Sequence, residues 1–349
     1  MKDSLSDINY VYEAAPTLGK TIEVAPGVHW LRMPLPFKLD HINLWLLEDN
    51  DEDGDGWTIV DTGINLAEVR DAWKIILSDR ITELKPLKRV VVTHFHPDHF
   101  GLAGWLIQKL SATLWMPREE WAQAQILSME TNANSRDSFS LFYHAAGFNK
   151  GMLKKAKERP GRYSKLISCA PASFIRIVDG QEISINGLKW RTIIGAGHSP
   201  EHACLYSPEL DVLISGDQVL PKITPNISVW PQEPKANPLE FFLTSLEKLR
   251  GLGSDTLVLP SHKLPFRGLD KRIDELQSHH FERLDEIVNI CSQRSNGVEV
   301  MHQLFQRELD DHQMFFAIGE TLAHLNYLVE RGKILLQNDS HGVNSYHHK

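Results

Sequence analysis

The feature that most restricts the fold is Thr93-His94-Phe95-His96-Pro97-Asp98-His99, which follows the apolar run Val90-Val91-Val92. Four metal-competent side chains fall within six positions, where a buried strand is expected to end. His94 and His96 are two apart and so share one side of an extended strand end. Pro97 turns the chain out of the strand and can start a helix, which carries Asp98 and His99 in another direction. One short segment can thus present ligands in two directions, as two adjacent metal ions require. With 17 histidines in the chain some clustering by chance is expected. Chance does not readily supply the strand, this spacing and an Asp together.

The pattern around this segment alternates strand and helix, which indicates an α/β protein. Strands are expected at 22–24, 28–33, 42–47, 57–60, 87–95 and 112–116. Between them, Leu66, Val69, Trp73, Ile76 and Leu77 have the spacing of an amphipathic helix, and 101–110 reads as another. The run 42–47 is almost continuously apolar, as in a sheet buried on both faces. From 117 to 157 the rhythm breaks into three helices without strands, an insertion suited to a lid or pocket wall. Its Trp121, Phe139, Phe142, Tyr143, His144 and Phe148 are read as helix packing before substrate contacts. Strands return at 174–178, 182–185, 188–194, 203–206, 212–215 and 256–259, with helices at 238–249 and 270–291. Two more helices and a short strand fill 298–336. Residues 1–20 read as a loose lead-in, and the polar tail from Gln337 as frayed. The acidic loop at 49–56 has Asp51, Asp53, Asp55 and Gly56 in the register of a calcium loop. Thr62 stands where a bidentate Glu is needed, and strands flank the loop, so a solvated hairpin turn is expected.

Three further candidates lie far apart in sequence but at the same kind of position. His198 follows one strand through Gly195-Ala196-Gly197, Asp217 follows another in Ser215-Gly216-Asp217, and His262 follows a third in Pro260-Ser261-His262. Singly, each is more often a cap or turn residue. Together with the first motif they make seven ligands at strand-to-loop transitions, where a sheet-based enzyme collects its chemistry. His202 reads either as a support for these ligands or as a surface histidine. His279-His280 read as a solvated helix face more than as part of a site mouth.

The order His94-Phe95-His96-Pro97-Asp98-His99, His198, Asp217, His262, with an early Asp61-Thr62-Gly63 turn, resembles the metallo-β-lactamase-fold hydrolases. The resemblance implies an αββα sandwich over 21–268 with a helical insertion at 117–158. It also implies a mainly helical, winged-helix-like extension at 269–337. Carried over residue by residue, His94, His96 and His198 would hold a first metal, and Asp98, His99 and His262 a second. Asp217 would bridge both, while Asp61 would fix the motif loop from outside the ligand set. The His-rich set favours zinc, with iron or manganese as alternatives. An Asp at the bridging position resembles the glyoxalase II branch more than true β-lactamases. Cys204, inside a strand, is read as a core thiol.

The resemblance implies a metal-bridging hydroxide, oriented by Asp98 and Asp217, that hydrolyses a small thioester, lactone or ester. A metal-dependent endoribonuclease or phosphodiesterase, using the C-terminal region for RNA, is the alternative; a β-lactamase-like amide hydrolase is a weaker one. A net charge of −8 over 349 residues argues against nucleic acid as the main partner. Cys169, Cys204 and Cys291 are too few and scattered for a disulfide framework, which fits a reducing cytoplasm. The N-terminal residues lack the apolar centre of a signal peptide, and no apolar run is long enough to cross a membrane. The expected partner is a small-molecule substrate, with homo-oligomerisation left open.

Overall fold

A computed structural model describes residues 8–52, 54–81, 85–130, 132–253 and 255–348 of the chain. The N-terminal part contains β1 (Asn9–Tyr10), β2 (Ile22–Ala25), β3 (Val28–Pro34), β4 (His41–Glu48) and β5 (Trp57–Val60), then α1 (Ala67–Arg80) and β6 (Leu87–Val91). The motif after β6 winds into α2 (Pro97–Phe100) and is followed by α3 (Ala103–Leu110) and β7 (Thr113–Met116). The insertion comprises α4 (Arg118–Met129), α5 (Asn132–Ala145) and α6 (Lys150–Ala156), before β8 (Ile175–Arg176). There follow β9 (Glu182–Ile185), β10 (Leu188–Gly195), β11 (His202–Ser207), β12 (Val212–Gly216), α7 (Pro238–Leu246), β13 (Leu257–Pro260) and β14 (Phe266–Arg267). The C-terminal part contains α8 (Leu269–Ile290), β15 (Ser295–Asn296), α9 (Gly297–Leu304), α10 (Asp311–Glu330), β16 (Ile334–Asn338) and β17 (Asn344–His348).

Two large sheets form, in the orders β2-β3-β4-β5-β6-β7-β8 and β1-β14-β13-β12-β11-β10-β9. The central strand β4 explains their stacking. Trp45 and Leu47 point between the sheets, where Trp30, Val60 and Val91 meet Trp190, Leu205, Ile214 and Leu259 of the other sheet. Leu44 and Leu46 point the opposite way and pack with Val69, Trp73 and Ile76 of α1. The outer face of the second sheet is covered in the same manner, with Leu213 and Val258 packed in one core with Phe242, Ile273 and Ile318 of α7, α8 and α10. Period-2 alternation on strands buried on both faces therefore yields helix, sheet, sheet, helix, the α/β sandwich expected from the sequence.

Parallel pairing places the site. β5 and β6 run parallel in one sheet, and β12 and β13 run parallel in the other. Within each sheet, the loops leaving the paired strands therefore emerge at one edge. Asp61 follows β5, the histidine motif follows β6, Asp217 follows β12 and His262 follows β13.

The structure departs from the sequence reading at both ends. Within the lead-in, Ile8 is buried and β1 pairs with β14 through Asn9↔Arg267 and Tyr10↔Phe266. The tail is not frayed: β17 lies between β15 and β16, with Tyr346 opposite both Ser295 and Leu336. Its sequence, Asn344-Ser345-Tyr346-His347-His348, hides this because one buried aromatic anchors otherwise polar residues. Tyr346 is 2% exposed. Tyr346→Ala is expected to cost about 3 kcal/mol, read in urea unfolding as a lower midpoint at unchanged slope. The acidic loop makes the hairpin between β4 and β5, closed by a bridge of Asp51 with Gly54, and Asp53 lies outside the described residues. Asp49 is not solvated there: it is buried, accepts from Thr58 Oγ1 at 2.6 Å and pairs with Arg89 Nε at 2.9 Å. In the insertion, Phe139, Tyr143 and Phe148 are buried, and the last two pack on Phe315 of α10.

Candidate metal centre

The seven candidate ligands meet at this edge. Three mutually close groups of donor atoms form there: His94, His96 and His198; His94, His99 and Asp217; and Asp98, His99 and His262. Within each group the atoms lie within 4.8 Å of one another. Asp217 stands between the outer groups. Its Oδ2 is 3.5 Å from His198 Nε2, while its Oδ1 is 3.4 Å from His262 Nε2 and 3.6 Å from His99 Nε2. Asp98 Oδ2 lies 3.6 Å from His262 Nε2 and 3.7 Å from His99 Nε2.

The histidines are oriented from behind through Nδ1. His198 Nδ1 donates to the Asn226 carbonyl at 2.9 Å, and His262 Nδ1 to the His41 carbonyl at 2.8 Å. A carbonyl only accepts, so these rings carry their proton on Nδ1 and, when neutral, turn a bare Nε2 toward the centre. His99 Nδ1 donates to Asp61 Oδ2 at 2.7 Å. Thr93 Oγ1 donates to the same carboxyl at 2.9 Å and so accepts from His94 Nδ1 at 3.0 Å. Asp61 also accepts the Thr93 N–H at 2.8 Å. It holds this place with φ of 62°, an unusual conformation for a non-glycine residue, in the turn after β5. Asp61 therefore accepts hydrogen bonds from Thr93 and His99 of the motif loop.

His202 is buried beneath the centre and has a definite partner: its Nε2 accepts the Asp217 backbone N–H at 3.0 Å. Gly216 permits that approach, since a Cβ there would lie 2.5 Å from His202 Nε2 and the residue has φ of 53°. His280 joins neither a solvated face nor the site. It is buried under the Phe242 ring, with Nδ1 3.1 Å from His324 Nε2. Cys204 is a buried free thiol, and burial raises its pKa well above the usual thiol range, away from the thiolate a ligand needs.

Several supports carry no sequence signal. Asn226 and His41 act through backbone carbonyls, which any residue supplies. Asn43 on β4 donates through Nδ2 to the carbonyls of Pro260 and Lys263, at 2.8 and 2.9 Å, and so braces the His262 loop from the opposite sheet. Glu120 on α4 is buried behind the first histidines. Its Oε2 accepts the Phe95 N–H at 2.9 Å, and its Oε1 accepts Ser199 Oγ and the Glu201 N–H at 2.8 and 2.6 Å.

The donor set fits divalent cations. Burial, followed by the neighbouring imidazoles, holds His94 and His96 well below the usual histidine range. Burial also lowers His198, against the pull of Asp217. These rings are therefore neutral, and the Nε2 atoms of His94 and His198 face each other at 3.3 Å without a proton to share. His96 Nδ1 adds a third nitrogen 2.9 Å from His94 Nε2. In the other half, burial opposes protonation but the carboxylates prevail. Asp61, Asp98 and Asp217 hold His99 well above its ordinary value, and Asp217 with Asp98 raises His262. Burial would raise Asp217 itself, yet His262 and His99 hold it well below the usual carboxylate range. Positive charge is thus drawn to this half. Among the described residues, no hydrogen bond reaches His99 Nε2 or Asp217 Oδ1, both of them buried. Orphaned polar atoms and converging bare nitrogens are costly in a protein and are satisfied by a cation.

Comparison with known proteins agrees with this geometry. The family profile of the metallo-beta-lactamase superfamily matches residues 38–262, and that of the metallo-beta-lactamase-like C-terminal domain matches 284–349. A solved beta-lactamase domain protein from Burkholderia ambifaria is 42% identical, with a TM-score of 0.90 over 98% of both chains. The probable metallo-hydrolase YqjP of Bacillus subtilis is 24% identical over 85% of this chain and 91% of its own. A hydroxyacylglutathione hydrolase of Hydrogenovibrio crunogenus is 27% identical over 48% of this chain and 60% of its own. The seven-residue cluster at the strand ends, the layered sheets and these matches lead to one assignment: the chain belongs to the metallo-beta-lactamase superfamily and is a hydrolase of that superfamily.

Proposed function

We propose that this protein uses two divalent cations, zinc in the first instance, to hydrolyse a small thioester, lactone or ester in the cytoplasm. The observation that carries the two-ion reading is the placement of Asp217, whose two oxygens face different histidine groups. His94, His96 and His198 would hold one ion, Asp98, His99 and His262 the other, and Asp217 both. Bound there, the cations supply Lewis acidity and a hydroxide nucleophile at neutral pH. The protein's own residues do the rest. Asp98, whose side chain is 19% exposed, is the more accessible of the two carboxylates and would orient the nucleophile and pass a proton to the leaving group. Asp61, Asn226 and His41 keep the imidazoles from rotating as charge develops.

A row of aromatic side chains next in sequence to two of the ligand supports is the candidate contact for an apolar acyl portion. Phe37, ahead of His41, is 39% exposed and stacks on His312 at 5.3 Å. His312 meets Phe316 at 4.8 Å, and Phe316 meets Trp230 at 6.0 Å. This aromatic row joins the loop leading into the His262 support with the segment following Asn226, the His198 support. It runs across the first two turns of α10. The similarity to a hydroxyacylglutathione hydrolase, an enzyme named for an acylglutathione, supports the thioester as the first member of the group.

Metal analysis followed by a panel of thioesters, lactones, phosphodiesters and a chromogenic cephalosporin tests this reading. Thioesters or lactones with apolar acyl groups are expected to give the highest kcat/KM. Phe37→Ala is expected to raise KM for them roughly tenfold, with kcat little changed. Highest turnover of an RNA or of the cephalosporin would replace the proposed substrate class.

A further inference from the structure

The first histidine group has a support that the second lacks, and it comes from the insertion. Phe95 sits between His94 and His96, and both of its backbone polar groups are held by side chains, one from the insertion and one from the turn that follows it. Its N–H donates to Glu120 Oε2 at 2.9 Å, and its carbonyl accepts from Tyr163 Oη at 2.5 Å. The other oxygen of Glu120 takes two donors from the loop that carries His198, namely Ser199 Oγ at 2.8 Å and the Glu201 N–H at 2.6 Å. One carboxylate therefore ties the two segments that bear His94, His96 and His198. Placing a carboxylate at 0% exposure is costly unless its oxygens are filled. Burial raises this one to about 7 against the pull of its three donors. The Asp98–His99–His262 group is braced by His41 and Asn43, and by Asp61, which also reaches His94 through Thr93.

We propose that Glu120 is a positioning residue for one half of the centre: it sets the separation of the His94–His96 segment from His198, and with it the affinity of that half for a divalent cation. The inference rests on the metal-centre reading above and adds that the Glu120 tie is confined to the first half, so that the insertion tunes one ion more than the other. Glutamine is the informative replacement. In Glu120→Gln one oxygen can still serve Ser199 and Glu201, but the amide NH2 then faces the Phe95 N–H, donor against donor. Turning the amide over moves the conflict to the Glu201 N–H, since Ser199 Oγ can rotate to accept. Either way one backbone N–H loses its acceptor and the tie between the segments is weakened while the volume is kept.

The test measures zinc affinity by competition with a chelating dye, on full-length protein stripped and reloaded with zinc. Glu120→Gln is made in two backgrounds, His262→Ala, which leaves the first group intact, and His96→Ala, which leaves the second. The expected result is a 10–100-fold loss of zinc affinity in the His262→Ala background and less than about threefold change in the His96→Ala background. Ser199→Ala, which removes one donor and leaves the carboxylate, is expected to move affinity in the same direction by a smaller factor. It carries the test if the glutamine variant does not fold. Equal losses in both backgrounds, or none in either, would overturn the clamp while leaving the metal centre standing. Absence of zinc binding by the unmodified protein would overturn the metal reading itself, and the clamp with it.

Discussion

Asp217→Asn is expected to lower kcat/KM for the best substrate by at least about a thousandfold, or roughly 4 kcal/mol of transition-state stabilisation. Asp217 is buried with its two oxygens committed in different directions, Oδ2 toward His198 and Oδ1 toward His262 and His99. Asparagine keeps the shape but presents one oxygen and no charge, so only one direction keeps its ligand. The other receives an NH2, which cannot coordinate a cation. The fold should survive, because the loop is positioned through the backbone: the Asp217 N–H donates to His202 Nε2, and Gly216 keeps the close approach. The check is steady-state kinetics beside thermal melting of metal-free protein. A variant that melts with the parent but has lost turnover is the expected outcome. Activity within tenfold of the parent would mean that Asp217 does not link two ions, and a single-ion mechanism would have to be derived instead.

The cluster was legible in the sequence because its candidate ligands are side chains at positions that follow strands. Val90-Val91-Val92 marks β6, but the strand ends at Val91, short of the expected 95, so His94 and His96 converge from the loop beyond it instead of from an extended strand end. Gly197 and Gly216 mark the turns that deliver His198 and Asp217, and both have positive φ. The parts that escaped have physical reasons. Asn226 and His41 contribute carbonyls, which leave no trace in residue type. Glu120 reads as an ordinary acid in the first turn of a helix, where it would be expected to face water. Its partners are 25, 79 and 81 residues away, so only the tertiary fold brings them together. His202 was undecided for the same reason, since its partner is the backbone of Asp217. The strand β17 was missed because polar composition outweighed a single Tyr346, and His280 because an i,i+1 histidine pair on a polar helix reads as surface.

Stripping the centre of metal is expected to abolish turnover and to lower the melting temperature by at least about 5 °C, both restored by zinc. The ion-free chain carries specific costs at this place. His94 and His198 present facing nitrogens 3.3 Å apart, and both rings are held neutral, so the contact is lone pair against lone pair. Among the described residues, no hydrogen bond reaches Asp217 Oδ1 or His99 Nε2, both of them buried. On the proposed reading a cation in each half would turn these liabilities into ligand bonds and would bind only the folded chain, since the residues that gather it are as far apart in sequence as His94 and His262. Linkage then gives a stabilisation of RT ln(1 + [L]/Kd), about 4 kcal/mol per site at a thousandfold excess over Kd. For a chain of this size even part of that corresponds to several degrees. The melting temperature should therefore climb with free zinc and level off only slowly. A stripped protein that melts with the loaded one would sink the claim that the orphaned atoms await a cation. One that still turns over substrate with no detectable metal would sink the mechanism.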